Sequence, residues 1–268
     1  MQSIAKTTRS KDGTSIAYQR AGSGASLIVV DGALCSRAFG PSQKLSPLLE
    51  QHFTVFTYDR RGRGQSGDTQ PYSPAREVED MAALIQEAGG SASLLGLSSG
   101  GALALEAAAS NLAVDHVIAY EPPYVNLDGH GAGHAHERAL KDRLVHDDRG
   151  GAVKYFMKDM VGAPPAIVVM MRLMPWIWRK LEAVAHTLPY DAAVMTEFRI
   201  PRERFGSIRQ PTLVMNGSKT DARLRTAARG VADIVPGAQY RELAGQTHNV
   251  KPEVLVPAVT EFVKSVER

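Results

Sequence analysis

Short runs of aliphatic and β-branched residues alternate along the chain with amphipathic stretches, and that alternation excludes most architectures. The runs are Ser26–Val30 (SLIVV), Phe53–Tyr58 (FTVFTY), Ser91–Leu97 (SASLLGL), Asp115–Tyr120 (DHVIAY), Pro211–Asn216 (PTLVMN) and Gln239–Leu243 (QYREL). Most are apolar throughout rather than every second residue, as in strands covered on both faces. Between them, roughly Pro41–Gln51, Arg76–Glu87, Gly100–Asn111, Ala222–Val235 and Pro252–Val266 carry helical periodicity. Strand–helix–strand alternation predicts an α/β fold: a mostly parallel central sheet with helices on both faces. The first residues, to about Gln19, predict an antiparallel hairpin turning at Lys11-Asp12-Gly13.

One region breaks the rhythm. Between Asn126 and Ser207 no good strand is present, only helix-like segments such as AHERALKDRLV, GAVKYFMKDMV and AIVVMMRLMPWIWRKLEAVAHTL. This predicts a core built from residues 1–124 and 208–268, interrupted by an all-helical insertion over 125–207. A length of 268 residues suits that plan.

Composition narrows the function classes. The net charge is +3 and the basic residues are scattered, which argues against a nucleic-acid partner. A single cysteine, Cys35, rules out an internal disulfide and fits a reducing compartment. The N-terminus has no apolar signal core, and no stretch of about 18 apolar residues could span a membrane. The expectation is a cytoplasmic protein; its oligomeric state is not fixed by the sequence, and a homodimer is compatible with it.

The chemistry is carried by Gly96-Leu97-Ser98-Ser99-Gly100, a Gly-x-Ser-x-Gly pattern between a strand and a helix. A serine in such a tight turn projects its hydroxyl over the carboxyl edge of the sheet, and flanking glycines keep side chains out of the crossing. The plain alternative is that Ser98 or Ser99 caps the helix. A nucleophilic serine needs a base. Among eight histidines, His248 (in LAGQTHNVKPE) follows the last strand, so its loop leaves the same sheet edge. His186 lies in the helical insertion, and His52 and His116 flank strands.

With these residues in place, the chain resembles the α/β-hydrolase-fold superfamily, with a helical cap, over nearly its whole length. VVDGALCSR stands where that family carries its oxyanion loop. YDRRGRGQS resembles its Asp-x-Arg-Gly-x-Gly-x-Ser segment, GLSSGG its nucleophile elbow, and GQTHNV its histidine loop. The resemblance implies that the backbone N–H groups of Ala33 and Ser99 form an oxyanion hole, each donor being worth about 2.7–4 kcal/mol in the barrier. The family's usual histidine before the glycine is Asp31 here, a carboxylate that must point away or be paired. Two carboxylates compete as partner of His248. Asp221, in GSKTDARLR, is near the usual site but is also a natural helix cap. Glu121, in VIAYEPPYV, matches the position of a catalytic glutamate in haloalkane dehalogenases and is slightly preferred. Dehalogenation itself would want an aspartate where Ser98 stands.

Other signals are set aside. Gly62-Arg63-Gly64-Gln65-Ser66-Gly67 matches a dinucleotide fingerprint, but prolines at 71 and 74 delay the next helix. His130, His134 and His136 lie in a glycine-rich stretch without metal-site spacing. No cofactor and no metal are expected. Met170, Met171, Met174, Trp176 and Trp178 cover several faces of the insertion, and some should face a cleft that accepts a small hydrophobic substrate. The resulting expectation is a serine hydrolase, carboxylesterase-like, cleaving an ester or related acyl compound through an acyl-enzyme. A lyase, cyclase or C–C hydrolase using the same Ser–His pair, or a ligand-binding protein on this fold, are the alternatives.

Overall fold

The computed structural model describes residues 6–126 and 133–266. The elements run β1 (Lys6–Arg9), β2 (Ser15–Gly22), β3 (Ser26–Val30), α1 (Ser42–Leu49), β4 (Thr54–Tyr58), α2 (Pro74–Glu87), β5 (Ala92–Leu97), α3 (Ser99–Ala109) and β6 (Val114–Tyr120). Among the described residues six α-helices follow: α4 (Gly133–Val145), α5 (Arg149–Tyr155), α6 (Pro165–Arg172), α7 (Pro175–Ala183), α8 (Leu188–Val194) and α9 (Arg202–Phe205). The chain then returns to β7 (Thr212–Gly217), α10 (Ala222–Ile234), β8 (Gln239–Leu243) and α11 (Pro252–Val266).

One sheet orders the strands β1-β2-β4-β3-β5-β6-β7-β8. β1 and β2 form the expected hairpin, and β2 also runs antiparallel to β4; every other pairing is parallel. Because side chains alternate across a strand, β3 serves two cores. Ile28 and Val30 pack with Met81 of α2, Leu103 of α3 and Val231 of α10 on one face. Leu27 and Val29 pack with Leu45 and Leu49 of α1 and Val259 and Phe262 of α11 on the other. Helices therefore cover both faces, as the unbroken apolar runs predict.

The helical stretch between β6 and β7 has its own apolar cluster, including Leu140, Val153, Val168, Trp178, Leu181 and Leu188. Leu34, from the loop after β3, belongs to the same cluster, with Ala33 and Phe39 packed against it. The long apolar segment after residue 165 is not one helix. It breaks between α6 and α7, where Pro175 opens the second helix and can give no N–H to the turn before it. Met170 and Trp176 are exposed, whereas Trp178 is buried and its indole N–H donates to Glu182. The His136 ring pairs with the Tyr155 hydroxyl at 2.8 Å; His130 and the side chain of His134 lie outside the described residues. Among the described residues no helix is long and apolar enough to cross a membrane.

Candidate active site

Parallel strands deliver their carboxyl ends to one edge, and three loops meet there. Ser98 is the first residue after β5. Its backbone sits at φ 55° and ψ −126°, a conformation seldom adopted by a residue with a side chain. Two glycines make the turn feasible. A Cβ at Gly100 would run into the Val30 carbonyl, and one at Gly96 into the backbone of Gly100. Gly32 permits the next approach: a Cβ there would lie 3.1 Å from the Ser98 Cβ. The loop after β3 thus passes directly beside the serine side chain. Ser99 opens α3, so its N–H is one of the free donors at the helix N-terminus.

Glu121 is the first residue after β6, and it too has a positive φ, of 50°. That turn swings a carboxylate inward instead of letting the strand continue. Glu121 is fully buried. Its Oε1 accepts from the Gly217 N–H at 2.8 Å and the Thr220 hydroxyl at 2.6 Å. Its Oε2 lies 2.6 Å from Nδ1 of His248. An ionised carboxylate only accepts, so Nδ1 carries the hydrogen and the lone pair is left on Nε2.

The histidine loop is fixed by bonds of its own. The Tyr120 hydroxyl donates to the Thr247 carbonyl at 2.6 Å, and the Lys219 N–H donates to the Gln246 carbonyl at 2.8 Å. A side chain at Gly217 would collide with Gln246 and Thr247. The Ser98 N–H donates to the Tyr120 carbonyl at 2.9 Å. Hydrogen bonds through Tyr120 therefore tie the serine turn to the histidine loop, with Glu121 next in the chain.

Asp221 stands elsewhere. It is the N-cap of α10, accepts from the Arg223 N–H at 2.9 Å, and is exposed. That backbone bond and the Arg223 guanidinium hold its carboxyl below the usual aspartate range. Asp31 is buried and turned toward α1, where it accepts from the N–H and the hydroxyl of Ser42. Burial pushes its pKa up to about 6, against the opposing pull of Ser42 and of Arg63 and Arg60. Cys35 donates to the Ala33 carbonyl at 3.3 Å. Burial and the nearby Asp31 push its thiol up to about 12, so it is no thiolate nucleophile at neutral pH. The turn after β4 leads into α2 only at Pro74, so the glycines there do not open a helix as a dinucleotide fingerprint would.

Sequence reasoning missed a buried ionic network behind the loop that follows β3. Arg60 grips Glu77 with two bonds of 2.7 Å and reaches Asp191 of α8 at 2.7 Å. Arg63 bonds the other Asp191 oxygen at 2.6 Å, and the Ser99 hydroxyl donates to Asp191 at 2.8 Å. All four charged groups are at most 2 % exposed. Burial alone would raise the Asp191 carboxyl, but the Arg63 and Arg60 guanidiniums hold it below its usual range; Glu77 is held down likewise by Arg60. The available signal was Asp191 in an apolar helical stretch, together with two arginines at positions that the Asp-x-Arg-Gly-x-Gly-x-Ser pattern leaves unspecified.

Comparisons with known proteins agree with this fold. A profile of the Alpha/beta hydrolase family matches residues 22–258. The crystal structure of an alpha/beta hydrolase from Sphaerobacter thermophilus is 47 % identical, with a TM-score of 0.89, covering 96 % of this chain and 99 % of that one. An esterase from Exiguobacterium antarcticum shares the fold at 20 % identity and a TM-score of 0.76, covering 97 % of this chain and 100 % of that one. An enol-lactonase from Burkholderia xenovorans does so at 18 % and 0.72, covering 97 % and 100 %. Among curated proteins no match was found. The matched profile spans most of the chain, the parallel sheet carries its serine turn and histidine loop at one edge, and the chain belongs to the alpha/beta hydrolase family.

Proposed function

We propose that the protein is a carboxylesterase-like serine hydrolase working through Ser98, His248 and Glu121. In this reading Nε2 of His248 takes the Ser98 proton as the hydroxyl oxygen attacks the substrate carbonyl. The negative charge that develops on the carbonyl oxygen is met by the N–H groups of Ala33 and Ser99. Protonated His248 then gives its proton to the departing alkoxide as the ester C–O bond breaks. Water, deprotonated by the same imidazole, cleaves the acyl-enzyme and restores Ser98. Glu121 rather than Asp221 holds the imidazole in its tautomer and stabilises the cation.

The observation that carries this reading is the 2.6 Å bond from His248 to a fully buried carboxylate, which follows the strand paired with the one that ends at the strained serine. Residues 125–207 act as a cap. Leu34 is a buried member of the insertion's apolar cluster, with Ala33 and insertion residues such as Met157, Met171 and Ile177 packed against that cluster, and this supports an apolar wall beside the oxyanion loop and with it an apolar acyl or alcohol group.

Two measurements test it together. A fluorophosphonate probe should label Ser98, identified by peptide mass. A chain-length series of p-nitrophenyl esters should be turned over by the native protein and lost in Ser98→Ala by roughly 10⁵-fold or more in kcat. An unlabelled, folded protein inert toward every ester would defeat the reading.

A further inference from the structure

The peptide unit between Gly32 and Ala33 has two ends. Its N–H belongs to Ala33, the proposed oxyanion donor. Its carbonyl is that of Gly32, and it accepts a hydrogen bond of 2.6 Å from Nη1 of Arg63. Arg63 is 2 % exposed. We propose that Arg63, held by Asp191 from the helical insertion, is a positioning residue that orients and polarises the oxyanion-hole peptide. The inference rests on the esterase reading and adds to it a source for the strength of the hole.

The physical argument has three parts. A trans amide is planar, so fixing the direction of its C=O fixes the opposite direction of its N–H. A cation on the carbonyl oxygen draws electron density along the amide and makes the N–H a better donor, as in other polarised hydrogen-bond chains. Burial sharpens both effects, because no water competes for the carbonyl. The guanidinium has little freedom to drift. Its Nη2 is bonded to Asp191 at 2.6 Å and its Nε to the Thr187 hydroxyl at 3.1 Å, so three donors lock one plane. Asp191 also accepts from the hydroxyl of Ser99, whose N–H is the second proposed donor. One carboxylate from α8 thus braces both halves of the hole. Because Thr187 and Asp191 come from the insertion while Gly32 and Ser99 come from the core, the hole is complete only when the insertion is seated.

Arg61 is the internal control. It is equally buried and ion-paired, to Asp80 at 2.7 Å and Asp12 at 3.0 Å, but its remaining bonds go to Ser10 and the Arg76 carbonyl. Losing its fork should weaken the fold without touching the oxyanion loop.

The experiment compares the full-length native protein, Arg63→Lys and Arg61→Lys. Lysine keeps the charge in each case and loses the three-point fork. Each is assayed on a p-nitrophenyl ester well below its melting temperature. Each is also titrated with a trifluoromethyl ketone, which adds the Ser98 oxygen to form an oxyanion without a leaving group. Arg63→Lys should lower kcat by about 10-fold or more, leave KM within about threefold, and weaken the ketone by the same factor as kcat/KM. Arg61→Lys should lower the melting temperature comparably and leave kcat within about twofold. Unchanged kcat and ketone affinity in Arg63→Lys overturn the inference, as does an equal loss in both variants. Fluorophosphonate labelling of native Ser98 separates the two levels. Labelled, active enzyme with an indifferent Arg63→Lys sinks only this inference, whereas an inert, unlabelled native protein sinks the esterase reading and the inference with it.

Discussion

The two sides of Ser98 are built differently. On the histidine side every group comes from the core: Glu121 just after β6, Gly217 at the end of β7, Thr220 after it, and His248 after β8. The carboxylate there is saturated by two fixed donors and the imidazole. On the side of the proposed oxyanion hole, the loop after β3 is braced by arginines from the turn after β4, and those in turn are neutralised by Glu77 of α2 and Asp191 of α8. The first arrangement needs only a folded sheet. The second needs the insertion as well. Buried ion pairs add little net stability when complete, but losing one partner leaves an uncompensated charge at a cost of about 3–5 kcal/mol. The insertion is therefore bound to the core by a contact that is expensive to open halfway.

The sharpest way to break this contrast is to disable the histidine side alone. Glu121→Gln keeps the shape and the Gly217 bond but no longer fixes the imidazole tautomer. It should lower kcat by roughly 10⁴-fold on a p-nitrophenyl ester, with the melting temperature moved far less than its burial suggests. A loss under tenfold would mean that Glu121 is not the partner of His248.

The oxyanion side is sharpened through Asp31. Its native pKa of about 6 lies above the unfolded value of about 3.9. Between those values the folded state binds more protons than the unfolded state, so stability falls as pH rises from about 4 to about 6 and stays lower above that window. Asp31→Asn removes the titration. Relative to the native protein it should gain about 2 kcal/mol on going from pH 4.5 to pH 7.5, read from urea midpoints. Parallel pH profiles for the two proteins would contradict this account of the carboxylate.

The smallest effect is expected at the other carboxylate that competes for His248 in the sequence. Asp221→Ala removes an exposed helix cap and should cost about 1 kcal/mol of stability while leaving kcat within about twofold. A large loss of turnover there would transfer the triad role from Glu121 to Asp221 and dissolve the core-only picture of the histidine side.

Much of this molecule was legible from local signals. The unbroken apolar runs gave a parallel sheet, since strands covered on both faces cannot alternate polar and apolar residues. The helical interruption after β6 was visible because its segments carry helical rather than strand patterning, even where Ile167-Val168-Val169 stand together. The serine turn was readable because glycines must flank a crossing this tight, and the histidine loop because it follows the last strand. The paired glutamate and aspartate were harder. Glu121 and Asp221 each follow a strand; Asp221 has a plain role as a helix cap, which tilts the reading slightly to Glu121, but local signals do not decide between them.

What the sequence determined by itself was which elements form and which chain ends reach the active edge, because periodicity and turn chemistry act over a few residues. The tertiary structure alone decided which carboxylate meets the imidazole, where Asp31 points, and that Arg63 and Asp191 share one buried site. Two of those outcomes depend on directions of side chains more than a hundred positions apart: a positive φ at Glu121 turns its carboxylate toward His248, and the seating of α8 brings Asp191 to the arginines. Such choices follow from packing and from the need to pair every buried charge, and they exist only once the layers have closed.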